Sequence, residues 1–81
     1  MDLVLLTETL VKSLVKDKDK VSVKQFETDD DYILIQVMVD KDVMGSIIGK
    51  RGKIATAIRT IVYASSYIND QKKVKINIDS F

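Results

Sequence analysis

The sequence predicts an α+β fold of order α-β-β-α-α-β, with three helices packed on one face of a three-stranded sheet. Three observations carry this. Apolar residues recur at helical spacing over residues 3–15 and 54–68. They alternate with polar ones in "KVKINID" (73–79) and branch at Cβ on every second position of "YILIQVMV" (32–39), which are strand signatures. The chain has no repeat, no linker and no proline. Its 81 residues leave room for one core, so residues 1–81 read as a single domain.

In the first helix, Leu3, Val4, Leu6, Leu10, Val11, Leu14 and Val15 fall within one half of the wheel, with Leu5, Lys12 and Lys16 on the other side. "DKDK" (17–20) breaks that pattern and serves as a connection. Val21, Val23 and Phe26 mark a first strand whose loose patterning leaves its register open. "TDDD" (28–31) is a turn by composition, because aspartate side chains bond their own backbone. The second strand follows, with Ile33, Ile35, Val37 and Val39 on one face. Asp40 or Asp42 caps a short helix that runs to about Ile48. Gly52 or Lys53 opens a long helix to about Ile68, carrying Ile54, Ala57, Ile58, Ile61, Val62, Ser65 and Ile68 on one stripe. "NDQ" (69–71) ends it, and Val74, Ile76 and Ile78 point inward from the last strand.

Between the two later helices lies "GSIIGKRGK" (45–53). It holds the three glycines of the chain, Gly45, Gly49 and Gly52, together with three basic residues. The formal net charge is only +1, but its distribution is uneven. Residues 41–60 carry five basic side chains (Lys41, Lys50, Arg51, Lys53, Arg59) against one acid, Asp42, whereas residues 17–31 carry six acids against three lysines. A local basic patch on a near-neutral chain suits a confined anion site rather than a general polyanion coat.

Glycines at 49 and 52 permit a sharp turn between helices. Unpartnered amides at the start of the following helix carry the positive end of its dipole. Lys50 and Arg51 at the tip add charge, so the pattern points to a phosphate-bearing ligand. It is not a nucleotide-binding P-loop, which needs four residues before its Gly-Lys pair and a hydroxyl after it. Here three residues, "SII", separate Gly45 from Gly49, and Arg51 stands in place of the hydroxyl. A purely structural turn with solvated cations is the competing reading of the motif taken alone.

The run Val43, Ile47, Ile48, then "GKRG", then Ile54, Ile58 and Ile61 at helical spacing resembles the KH domain. The helix and strand placed before that core match the bacterial, type II arrangement. The resemblance extends through "RTIVYA" (59–64) to "KVKINID" and is close to the small single-KH proteins of the KhpA (YlqC) family. It implies a GxxG loop that clamps the backbone of about four single-stranded nucleotides. On this chain Gly49 and Gly52 would allow close phosphate approach, while Lys50, Arg51 and Lys53 supply charge. Gly45 and Ile48, with Ile54 and Ile58, would form an apolar floor under the bases, although plain core packing suits those isoleucines equally. The opposite wall would be "ETDDD" (27–31), whose aspartates repel phosphate. The implied function is that of a cytoplasmic bacterial RNA chaperone or post-transcriptional regulator. The implied partners are single-stranded RNA, a second copy of the chain, and a KH protein of the KhpB (Jag/EloR) type.

Catalysis has little to stand on. The chain has no histidine and no cysteine, which removes the commonest bases, nucleophiles and transition-metal ligands. No enzyme activity, cofactor or metal is expected, and Asp29, Asp30 and Asp31 read as a solvated turn. Asp2 directly follows Met1, the early "LVLL" is too short for a signal core, and no apolar run spans a bilayer. The chain therefore reads as soluble. Tyr63 and Tyr67 lie one turn apart, with Arg59, away from the isoleucine stripe and form a candidate protein interface. Leu34 and Met38, on the outer side of the strongest strand, form a second. The alternative function is accordingly a KH-fold interaction module whose main role is homo- or hetero-dimerisation.

Overall fold

The computed structural model describes residues 2–28, 32–69 and 73–81. Helix α1 (Leu3–Lys12) leads through a 3-10 turn (Lys18–Lys20) to strands β1 (Val21–Glu27) and β2 (Tyr32–Val39). Helix α2 (Lys41–Ile48), a second 3-10 turn (Lys50–Gly52), helix α3 (Lys53–Asn69) and strand β3 (Lys73–Ser80) complete the predicted order. The sheet is ordered β1-β2-β3, with β1 antiparallel and β3 parallel to the central β2. A parallel neighbour requires a long crossover, which α2, the glycine-rich turn and α3 provide. This is the arrangement expected of a type II KH fold.

The inner face of the sheet is apolar because the strand period is two. Ile33, Ile35, Val37 and Val39 of β2 are buried beside Val21 and Val23 of β1 and Val74 and Ile76 of β3, and the helices contribute Leu3, Val11, Ile47, Ile58 and Val62. The register pairs Val23 with Val37 and Ile35 with Ile76. Ile78 is half-buried at the margin of this core. No described helix is long and apolar enough to cross a membrane.

Several elements differ from the sequence expectation. The first helix stops at Lys12 rather than running to residue 15. The Ser13 hydroxyl donates to Leu10 O (2.7 Å), and the Leu14 and Val15 amides tighten onto Val11 O and Lys12 O. Val15 still packs on the core, whereas Leu14 is exposed. Thr7, which hydropathy overlooks, is fully buried because its hydroxyl is satisfied by Leu3 O at 2.8 Å.

In α3 the buried row is Ala55, Ile58, Val62 and Ser66. Of the expected stripe, Ile58 and Val62 are buried and Ile54 packs against the core, but Ala57, Ile61 and Ile68 face solvent. Phe26 lies on the opposite face of β1 from Val21 and Val23 and is 49% exposed. The aspartates expected to form a turn at residues 29–31, and most of "NDQ", fall outside the described residues.

Candidate functional site

Helix α2 ends where Gly49 takes φ 75° and ψ 176°, a region open in practice only to glycine. Its amide still closes the helix by donating to Gly45 O at 2.9 Å. The chain then turns tightly. Gly52 N–H donates to Gly49 O (3.3 Å) and Lys53 N–H to Lys50 O. Arg51 (φ 57°) and Gly52 (φ 73°) are both left-handed. For Gly52 the positive φ alone accounts for glycine, since nothing lies within 4 Å of a built β-carbon. Two amides that sequence reasoning offers to a phosphate, those of Gly52 and Lys53, are thus engaged within the turn.

The turn holds its cations outward. Lys50, Arg51 and Lys53 are exposed, and among the described residues none has a carboxylate partner. The ion pairs described lie elsewhere, Lys12 with Glu8 on α1 and Lys20 with Asp42 at the start of α2. The latter hydrogen bond holds the Asp42 carboxyl below its usual range and raises Lys20. It thereby neutralises the one acid between residues 41 and 60, without drawing on the loop.

The expected apolar floor divides in two. Ile58 belongs to the buried core and offers no surface, and Ile54 is half-buried beneath Gly49. Ile48, at the end of α2, stays half-exposed beside the turn. Gly45, one turn earlier on the same side of α2, is exposed with nothing within 4 Å of the space a side chain would occupy. What reaches the surface of the expected floor is therefore an apolar step made of Gly45, Ile48 and part of Ile54, flanking the turn in sequence.

The candidate protein interface on α3 also divides. Arg59 Nε donates to Ile76 O, and Ile76 N–H donates to the Tyr63 hydroxyl, each at 3.4 Å. These two side chains clasp β3 and close part of its free edge. Tyr67 is left 77% exposed. Sequence reasoning missed its neighbours: Ala57, Ile61, Ala64 and Ile68 recur at spacings of four, three and four along α3, and all are exposed. The signal was present as a second apolar row, merged by hydropathy with the buried one. Leu34 and Met38 are half-buried on the outer face of the sheet.

The family model described as KhpA/KhpB, KH domain matches residues 5–78. The chain is 40% identical over 73 residues to an RNA-binding protein KhpA of Clostridium acetobutylicum, covering 90% of this chain and 95% of that one. It is 43% identical over 70 residues to an RNA-binding protein KhpA of Listeria monocytogenes, covering 86% and 90%. Its fold is similar to part of Aquifex aeolicus Era bound to GDP and AlF4-, with a TM-score of 0.69 at 16% identity over 98% of this chain and 30% of the other. An Era structure in complex with nucleotides 1506-1542 of 16S ribosomal RNA matches with a TM-score of 0.68 at 17% identity, over 96% and 29%. Together with the GKRG turn between α2 and α3, these matches identify the chain as a member of the KhpA/KhpB family of KH domains.

Proposed function

We propose that this chain is a non-enzymatic KH module that binds single-stranded RNA by gripping its sugar-phosphate backbone at the GKRG turn. In this reading residues 1–81 act as one KH unit in the cytoplasm, as an RNA chaperone or post-transcriptional regulator. The observation that carries it is the turn itself. Lys50, Arg51 and Lys53 stand exposed on a tight turn with positive φ at three of its four positions. Relatives that cover nearly the whole chain are named as RNA-binding proteins.

Mechanistically, phosphates lie along the turn and against Lys50, Arg51 and Lys53, drawn also by the positive end of α3. Bases lie on the step formed by Gly45, Ile48 and Ile54, where the missing side chain of Gly45 admits a flat ring. Such contacts fix the backbone and leave sequence preference low. Replacing Lys50 and Arg51 by aspartate tests the reading directly. Loss of RNA binding with an intact fold supports it, and unchanged binding overturns it.

A second reading is favoured by one observation, the exposed row Ala57, Ile61, Ala64 and Ile68 beside Tyr67. A helix face of small and branched residues packs well on another helix. We infer that this face supports self-association, or pairing with a KhpB-type KH protein, alongside RNA binding rather than in place of it.

A further inference from the structure

We propose that the outer face of the sheet, on the side away from the helices, is a second contact surface for single-stranded nucleic acid. Its stacking platform is Phe26, and its phosphate contacts are Lys24 and Lys75. The proposal rests on the reading that the chain binds single-stranded RNA, and it adds a surface remote from the GKRG turn.

The register places these residues together. Phe26 of β1 lies opposite Leu34 of β2, which lies opposite Lys75 of β3, so the three form one row across the sheet. Lys24 is two residues from Phe26 on the same face, about 7 Å along the strand. Phe26 is 49% exposed, a large aromatic surface that no described element covers. Lys75 is held above the sheet rather than trailing into solvent, because its ammonium lies 4.7 Å from the centroid of the Tyr32 ring. The next row is flat and polar. Asn77 Nδ2 donates to Gln36 Oε1 (2.9 Å) and Gln36 Nε2 donates to Asn77 O (3.3 Å).

Charge selects the occupant. Among the described residues of this face, Lys24, Lys73 and Lys75 are opposed by one acid, Asp79, at the far end of β3. A second copy docked on the same face would bring like charges together, which is costly. An apolar protein partner would have to bury unpaired ammonium groups. A single strand meets neither difficulty. Its bases stack on an aromatic ring whatever their sequence, and its phosphates find the flanking lysines.

The test uses the full chain and oligouridines of two lengths, one of about four nucleotides and one of about twelve, because a GxxG loop clamps only about four. Backbone amide chemical shifts are followed through each titration. The longer probe is expected to move Phe26, Leu34 and Lys75 as well as the residues of the turn. Phe26→Ala and Lys75→Gln should each weaken binding of the longer probe about three- to tenfold. Each should leave turn shifts and short-probe affinity unchanged. Lys75→Gln should also lower the salt slope by about 0.7. In Lys50→Asp/Arg51→Asp, sheet-face shifts should persist at higher probe concentration. Turn shifts without sheet-face shifts, with unchanged affinity in both sheet-face variants, overturn the proposal and leave the turn reading intact. Sheet-face shifts that follow protein concentration without probe overturn it in favour of a protein occupant. Absence of both sets of shifts overturns both readings.

Discussion

A β-carbon at Gly49 would lie 2.6 Å from Cγ1 of Ile54 and 2.9 Å from its Cβ and Cδ1. Ile54 is the second residue of α3, and it packs across the turn onto the point where α2 ends. The contact fixes how closely the two helices approach at the GKRG turn.

Gly49→Ala and Gly45→Ala should move stability in opposite directions. At 49 the substitution combines a backbone region nearly closed to alanine with a contact too short to exist, for a loss of about 2–4 kcal/mol. At 45 nothing lies within 4 Å and the backbone is helical, so alanine should add up to about 1 kcal/mol. If bases pass over Gly45, the same variant should bind RNA less tightly. Urea unfolding and oligonucleotide titration of both proteins check the pair.

Arg51 holds φ 57° without being glycine, a conformation that costs an L-residue about 1–2 kcal/mol. Arg51→Gly relieves that strain but frees the unfolded chain, so the expected net gain is about 0.5 kcal/mol. Affinity for RNA should fall, since the guanidinium is lost from the tip. A variant that is both less stable and equally able to bind would contradict the assignment of Arg51 to the phosphate path.

How far the molecule was legible in its sequence can be judged residue by residue. The alternation of Ile33, Ile35, Val37 and Val39 fixed β2, because a period of two admits one buried face. The glycines at 49 and 52 marked the turn, yet the closeness of Ile54 to Gly49 is a tertiary distance that spacing does not contain. In α3, hydropathy grouped Ile58 and Val62 with Ile61 and Ile68. The small residues Ala55 and Ser66 decide which row is buried, and their hydropathy is weak. The engagement of Arg59 and Tyr63 with Ile76 joins a helix to a strand that follows it, and no local pattern encodes that pairing.

The Lys20–Asp42 pair makes a prediction about pH. Its hydrogen bond lowers the Asp42 carboxyl below the usual 3.8. Such a group contributes stability that is present above its unfolded value and lost as pH falls through its folded value. Lys20 is raised, so its share is present below the usual 10.5 and lost as pH rises beyond it. Asp42→Asn should therefore melt closer to wild type at about pH 3 than at about pH 7. Asp42 is exposed and Lys20 half-exposed, so the effect should be small and should shrink further in high salt.

Ile61→Lys should shift sedimentation toward monomer if the outer row of α3 forms the contact between chains. Ile61 is 47% exposed, so the fold should change by no more than about 0.5 kcal/mol. Changing Tyr63 is a poorer test, because its hydroxyl accepts from Ile76 and its loss would disturb β3 as well. A dimer that survives Ile61→Lys and Ile68→Lys together would place the contact elsewhere. A monomeric wild type would remove the second reading.

Replacing Lys50 and Arg51 together by aspartate should abolish RNA binding at the turn without unfolding the domain. Both residues are exposed at the tip, and Gly49 and Gly52 keep the backbone freedom that the turn requires. Aspartate also tolerates the left-handed position at 51 better than most residues do. What changes is charge, since two attractive groups become two repulsive ones beside the phosphate path, more than the dipole of α3 can offset. If wild type meets two to four phosphates, log K against log salt should slope by about −1.5 to −3 for single strands. The double variant should bind more weakly and with a shallower slope, because the phosphate contacts at the turn are gone, while its circular dichroism and melting stay near wild type. A variant that melts normally and binds as wild type does would reduce GKRG to a structural turn and move the weight of function to the outer face of α3.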